Sequence, residues 1–121
     1  MQKRDLTTQV RLKNDTCIID MEGDISRSSD AAMHAAYNEA SETCTSQIIL
    51  NFSNVGFINS TGIAVIVSLL ARARAAKQEL TVFGLSDHYQ RIFEITRLVD
   101  FMTVVPDEAA ALNQKSESET H

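Results

Sequence analysis

The 121 residues include only one proline and four glycines, the residues that most often mark turns. They also include only two cysteines and no tryptophan. The boundaries of helices and strands must therefore be predicted mainly from hydrophobic periodicity. The length is that of one compact domain. Cys17 and Cys44 lack the spacing of a metal site and are too few for a disulfide framework. They fit a reducing cytosol, with a single bridge left open as the alternative.

Positive charge is also scarce. Lys and Arg number 11 against 16 Asp and Glu, which gives a net charge of -5 and a pI near 5.1. Nucleic-acid binding needs a positively charged face, so we expect no nucleic-acid partner. The longest apolar run, residues 63–71, is far short of the ~20 residues of a membrane span, and the N-terminus has no apolar signal segment. We therefore expect a cytoplasmic protein that does not insert into a membrane.

The motifs of common enzyme sites are missing as well. The sequence contains no glycine-rich dinucleotide or phosphate loop, no GxSxG and no HExxH. His34, His88 and His121 do not fall into a ligand or catalytic spacing, and we expect them on the surface. We therefore predict no catalytic residue, no cofactor and no metal site, and an enzyme is the least favoured function.

Strand and helix patterns alternate along the chain. Strands are predicted at residues 8–12, 16–22, 47–52, 55–58, 80–83 and 102–105, and helices at about 30–41, 63–76, 87–95 and from 106 onward. This order is typical of an α/β domain in which helices pack against a mixed sheet. We expect the domain to cover residues 1–113, and the polar residues 114–121 to form a disordered tail.

One segment, FINSTGI at residues 57–63, places the end of a buried strand within four residues of a strongly apolar helix. Asn59, Ser60 and Thr61 all favour the N-cap position, so one of them is expected to cap this helix. Capping alone would explain these residues. Alternatively, a hydroxyl at this helix N-terminus would accept a phosphate that the backbone N–H groups tolerate. Phosphorylation would then repel a docked partner and leave the fold intact.

At residues 48–64, IILNFSNVGFINSTGIA, the chain resembles the anti-sigma factor antagonist family, the small single-domain STAS proteins of bacteria. The family pattern there is an apolar strand, a turn, an aromatic or aliphatic pair, Asp-Ser-[Ser/Thr]-Gly and an apolar helix. Weaker matches at GDI (23–25), LTVFG (80–84) and RIFEIT (91–96) extend the resemblance over about residues 8–112. It implies a STAS-like mixed β-sheet of four to five strands, with about four helices packed mainly on one side.

The resemblance also implies a partner-switching regulator. In that family the unphosphorylated protein binds an anti-sigma factor, a serine kinase of the histidine-kinase-like ATPase fold, and so frees a sigma factor. The kinase inactivates the antagonist by phosphorylation, and a PP2C-type serine phosphatase reverses this; ATP and Mg²⁺ belong to the kinase. By position the acceptor is Ser60, with Thr61 the lesser candidate, and the protein is expected to be a monomer. Partner contacts are expected at Asp24, Ser26, Asn59, Ser60, Thr61 and Gly62.

The sequence departs from the family pattern at Asn59, where the family usually has Asp. Asn retains the ability to cap a helix but lacks the carboxylate. Its presence removes a repulsion against phosphate, yet would weaken recognition by a kinase that requires Asp. Three alternatives stay open: a partner switch with another output, such as secretion or biofilm formation, a constitutive scaffold or ligand-binding STAS domain in which Ser60 is never modified, and an enzyme.

Overall fold

The computed structural model describes residues 5–13, 16–43 and 47–119, which form one five-stranded sheet flanked by helices. The strands are β1 (Thr7–Lys13), β2 (Thr16–Ile25), β3 (Gln47–Ile58), β4 (Glu79–Phe83) and β5 (Thr103–Val105). The helices are α1 (Asp30–Thr43), α2 (Ser60–Ala75), α3 (Asp87–Ile95) and α4 (Glu108–Glu119), with short 3₁₀ turns at Arg27–Ser29 and Leu98–Phe101. The strands lie side by side in chain order; β1 is antiparallel to β2, and all later neighbours are parallel. The predicted mixed sheet with four helices is confirmed.

Alternation along β2 and β3 divides the interior into two layers. Ile19 of β2 and Leu50 of β3 belong to a large core that α1, α2 and α3 cover. Their neighbours Ile18 and Ile49 point to the opposite face, where they pack in a smaller cluster with Ala111 of α4. Because successive strand residues face opposite sides, continuous apolar runs are what a sheet covered on both faces requires. Three helices therefore lie on one face and α4 on the other.

A part-buried ion-pair network anchors α4 on its face of the sheet. Arg11 of β1 contacts Asp20 at 2.5 Å and Glu108 of α4 at 2.7 Å. Burial raises the pKa of Asp20, but hydrogen bonds from Arg11 and Asn51 outweigh it and leave this pKa below its usual range. The hydrogen bond from Arg11 likewise lowers the pKa of Glu108. Both carboxylates are thus held in the charged form by the folded state.

Two strands are longer than their sequence patterns predict. β3 runs unbroken from Gln47 to Ile58, where a strand and a separate extended piece were predicted, and β2 continues to Ile25 instead of ending at residue 22. Their ends pair with each other, Val55 with Gly23 and Ile58 with Ile25, through two register irregularities. Long-range pairing therefore overrides the polar residues in these segments. The two strand ends lie side by side at the start of α2.

The C-terminal helix also exceeds its prediction. α4 continues to Glu119, so residues 114–119 of the predicted disordered tail are helical, while the domain boundary at residue 113 stays a prediction. Glu, Gln and Lys are good helix formers, so a helix that has begun can continue through a polar sequence. His121, at the end of that predicted tail, lies outside the described residues.

Cys17 is buried at the beginning of β2 and is disulfide-bonded, so the preferred expectation of reduced cysteines is wrong for this residue, and the bridge left open as the alternative is present. Cys44 lies outside the described residues. None of the helices within residues 5–13, 16–43 and 47–119 combines the length and apolar character that a membrane crossing requires.

Candidate functional site at the β3–α2 turn

Asn59 caps α2, which begins at Ser60 rather than at the predicted residue 63. The backbone of Asn59 is extended (φ -92°, ψ -178°), and its side-chain oxygen accepts a hydrogen bond from the N–H of Gly62 at 2.8 Å. The first turn of a helix leaves N–H groups without helical partners, and an Asn side chain satisfies one of them. The expectation that Asn59, Ser60 or Thr61 caps this helix is therefore confirmed, and the residue is Asn59.

The two hydroxyls that follow the cap have different surroundings. The Thr61 hydroxyl donates to the Asn59 side-chain oxygen at 2.7 Å and accepts from the backbone N–H of Arg27 at 3.2 Å. Ser60 is exposed, and within the described part of the chain its hydroxyl has no hydrogen-bond partner. Thr61 thus stabilises the turn, whereas Ser60 leaves its oxygen open to solvent.

Gly62 lets α2 approach the end of β2. A Cβ atom at Gly62 would lie 2.1 Å from the backbone oxygen of Ile25, closer than real Cβ contacts allow. The same oxygen accepts a hydrogen bond from the N–H of Asn59 at 3.3 Å. Gly62 is buried, so its role here is to permit close packing rather than to offer a side chain to a partner.

Asp24 and Ser26 lie in the adjoining turn between β2 and α1. The Ser29 hydroxyl donates to the backbone oxygen of Asp24 at 3.1 Å and accepts from the backbone N–H of Ser26 at 3.0 Å. Ser26 is only 2% exposed, while Asp24 is half-buried. Of the two, Asp24 is therefore the one placed to reach the surface, and Ser26 shapes the turn.

Tyr89 of α3 supports the same turn from the core side, a role that its sequence position does not reveal. Its hydroxyl accepts from the backbone N–H of Ile58 at 2.9 Å and lies 3.4 Å from the oxygen of Ile58, to which it donates. These bonds satisfy backbone groups at the end of β3. Tyr89 is buried, and the sequence contains no signal for this contact.

Behind Ser60, the outer side of α2 carries small apolar residues. Ala64, Val67 and Ala71 follow Ser60 at helical spacing and are exposed, Val67 by 44%. Phe57, two residues before the cap, is 56% exposed. Exposed apolar residues beside one another are typical of a surface that another protein covers.

A shallow groove of about 430 Å³ opens beside this helix, lined by Arg27, Asp30, Thr61, Ala64 and Val65. Arg27 lies in the turn before α1 and Asp30 is the first residue of α1, and no sequence motif connects either of them with α2. No local sequence pattern could have shown this, because Arg27 and Thr61 are 34 positions apart, and only folding brings the Arg27 N–H to the Thr61 hydroxyl.

The two histidines within the described residues, His34 and His88, lie apart in the fold and form no catalytic set. His34 lies between α1 and α2, where its Nε2 is 3.1 Å from the Ser68 hydroxyl and its Nδ1 accepts from Arg72 at 2.9 Å. His88 is exposed and packs its ring edge against Tyr89. Among the described residues, no three His, Cys, Asp or Glu side chains are placed to hold a metal ion.

Comparison with curated proteins finds relatives named anti-sigma-B factor antagonists. The chain is 40% identical over 60 residues to the anti-sigma-B factor antagonist of Staphylococcus aureus, an alignment covering 50% of this chain and 56% of that protein. The chain thus spans about half the length of the curated relatives that it matches.

Solved structures share the fold. An anti-sigma factor antagonist from Mycobacterium paratuberculosis superposes with a TM-score of 0.76 at 17% identity, covering 91% of this chain and 93% of that one. The Bacillus cell fate determinant SpoIIAA in its phosphorylated form gives 0.67 at 19% identity, covering 89% and 98%. The family model described as "Mlab, STAS domain" matches residues 8–106. The chain therefore belongs to the STAS domain family, as its sequence motifs predict.

Proposed function

We propose that this protein is an anti-sigma factor antagonist whose binding to its partner is switched off by phosphorylation of Ser60. Relatives that carry the name anti-sigma-B factor antagonist support this function. SpoIIAA, which shares the fold, is known in both an unphosphorylated and a phosphorylated form. A STAS domain can therefore hold a phosphate and keep its fold.

The observation that carries the proposal is that Asn59, and not Ser60, caps α2. Asn59 caps α2, so the Ser60 hydroxyl is not needed for the helix and stays exposed without a partner in the described chain. Thr61 is less suited as the acceptor because its hydroxyl already has two hydrogen bonds within the protein. A kinase can reach Ser60 without dismantling the turn.

Phosphate at Ser60 would act through charge. It adds about -1.5 to -2 charges at a helix N-terminus, where the dipole and backbone N–H groups favour an anion. The domain should therefore remain folded. A partner that covers the exposed apolar side of α2 would meet a dianion at the edge of its contact, and burying that charge is costly. Binding is lost while the fold stays the same.

The partner in this proposal is an anti-sigma factor that is also a serine kinase of the histidine-kinase-like ATPase fold. Contacts with it would come from Asp24, Asn59 and Ser60, with Ser26, Thr61 and Gly62 shaping the turn that presents them. A PP2C-type serine phosphatase would restore the binding form. The antagonist acts as a monomer in the cytoplasm, performs no catalysis and needs no cofactor of its own.

In vitro phosphorylation tests the proposal. The purified protein is incubated with ATP, Mg²⁺ and each such kinase encoded in the source genome, and incorporated phosphate is measured by intact mass. We expect one phosphate on the protein and on Thr61→Val, and none on Ser60→Ala. The kinase should release its sigma factor only when the unphosphorylated antagonist is added.

Other outcomes would replace the proposal. Phosphorylation of Ser60 without release of any sigma factor would indicate a partner switch with another output, such as secretion or biofilm formation. No phosphorylation by any of the kinases would indicate a constitutive scaffold or ligand-binding domain.

A further inference from the structure

We propose that Arg27 pairs with the phosphate of phosphorylated Ser60, which withdraws from the partner surface a cation that the unphosphorylated protein offers. The inference rests on the proposed function of Ser60 and adds a second effect to that switch. Arg27 is not part of the sequence motif, and only the folded structure brings it to the site.

The backbone of Arg27 is fixed next to the acceptor. Its N–H donates to the Thr61 hydroxyl at 3.2 Å, and Thr61 directly follows Ser60, whose Cα is about 3.8 Å from that of Thr61. Arg27 and Thr61 also line the same groove. An arginine side chain is long and flexible enough to reach across one residue from such an anchor. Its guanidinium can therefore meet a phosphate on Ser60 without movement of the backbone.

The charge of Arg27 is available. Its side chain is exposed and forms no ion pair among the described residues. Two other arginines are already in ion pairs: Arg11 holds Asp20 and Glu108, and Arg97 lies 2.8 Å from Asp100. Pairing Arg27 with a phosphate would break no existing contact. Arginine and phosphate form two parallel charge-assisted hydrogen bonds, the strongest pairing this position can make.

Two acidic residues lie near the turn in the described part of the chain. Asp24 is the second-to-last residue of β2, and Asp30 lines the groove with Arg27. His34 of α1 lies beyond Asp30, 3.5 Å from its carboxylate. Negative neighbours raise the second pKa of a phosphate, whereas a paired arginine lowers it. The N-terminus of α2 lowers the phosphate pKa as well, so the effect of Arg27 is measured as the difference between the wild-type background and Arg27→Gln.

Pairing would give one modification two effects on binding. The phosphate places a dianion beside the exposed side of α2, and at the same time it engages the cation that stands free in the unmodified protein. A partner with an acidic side chain opposite Arg27 loses an attraction as well as gaining a repulsion.

The test uses protein with phosphoserine incorporated at position 60 during translation, so that no kinase is needed. The second pKa of the phosphate is measured by ³¹P NMR titration in the wild-type background, in Arg27→Gln and in Arg91→Gln. Arg91 is also exposed and lies on α3, and Arg91→Gln removes the same charge from the protein. We expect Arg27→Gln to raise this pKa by about 0.5 to 1 unit and Arg91→Gln to leave it nearly unchanged.

Equal pKa values in Arg27→Gln and Arg91→Gln would overturn the pairing. Arg27→Lys distinguishes a charge effect from bidentate binding, since Lys should retain only part of the shift if both hydrogen bonds matter. The proposed function fails by a different result, namely that no kinase modifies Ser60. The two proposals can therefore fail separately.

Discussion

The side-chain oxygen of Asn59 lies 2.8 Å from the backbone N–H of Gly62, and this hydrogen bond closes the first turn of α2. Asn59, between β3 and the proposed phosphoacceptor Ser60, thus carries the capping role that Ser60 could otherwise have performed. Because the cap is the Asn59 side chain, the proposed phosphorylation of Ser60 would not uncap the helix.

Replacing the cap should weaken the fold. Asn59→Ala should lower the free energy of unfolding by about 1 kcal/mol, because the N–H of Gly62 loses its partner. Asn59→Asp, which restores the usual residue of the family, should keep the cap and gain from the helix dipole, so its stability should not fall. Urea unfolding measures both. Equal losses in the two variants would show that the hydrogen bond is not what stabilises this turn.

Any side chain at Gly62 should be poorly tolerated. Gly62→Ala places a Cβ 2.1 Å from the Ile25 oxygen, so β2 and α2 must separate. Overpacking of this kind costs about 1–3 kcal/mol. Ser60→Ala, two residues away on the exposed side, should change the free energy of unfolding by less than about 0.5 kcal/mol. Thermal unfolding compares them, and a Gly62→Ala protein as stable as Ser60→Ala would contradict the close approach.

The network around Arg11 should make stability depend on pH. The pKa values of Asp20 and Glu108 are lower in the folded state than in the unfolded chain. Their contribution to the free energy of unfolding is therefore complete above the pKa values of the unfolded chain, near 4. It is lost as the pH falls through the pKa values of the folded state. Arg11→Gln should cost about 1 kcal/mol at pH 7, and the cost should shrink towards pH 3.

The matched control for that network is Arg97→Gln, which removes an exposed pair with Asp100. Its effect on the free energy of unfolding should stay below about 0.5 kcal/mol at either pH. An Arg11→Gln cost that grows on acidification would show that the sign of the linkage is wrong.

Changes at Ser60 should alter binding and leave the fold intact. With a partner kinase in hand, Ser60→Asp should weaken its binding at least tenfold, since one carboxylate supplies part of the charge of a phosphate. Ser60→Ala should bind like the unmodified protein and escape switching. Isothermal titration gives the affinities, and circular dichroism checks the fold. Equal affinity for both variants would contradict a charge-based switch.

The sequence predicts the fold well where local patterns carry the information. The helix predicted at residues 87–95 has the observed boundaries, because an amphipathic pattern directly follows a capping residue, Ser86. The extensions of β2 and β3 could not be predicted. Gly23 would end β2 and the exposed, polar Asn54 would interrupt β3, but Gly23 pairs with Val55 and Asn54 pairs with Glu22, so both segments continue as strands.

The site is predictable in part for the same reason. FINSTGI indicates a capped helix and an acceptor hydroxyl, and Ser60 and Thr61 cannot be ranked by capping propensity alone. What separates them is the contact between Thr61 and Arg27, residues 34 positions apart. The role of Tyr89 cannot be predicted from the sequence either, because its hydroxyl bonds to backbone atoms of Ile58, a contact that no local sequence pattern indicates.

The most direct test of the central claim is intact-mass and phosphopeptide analysis of this protein isolated from its native cells under several growth conditions. The account predicts a species heavier by one phosphate, mapped to Ser60, whose fraction changes with the conditions. A protein unmodified at Ser60 in every condition would contradict the account and favour a constitutive STAS domain.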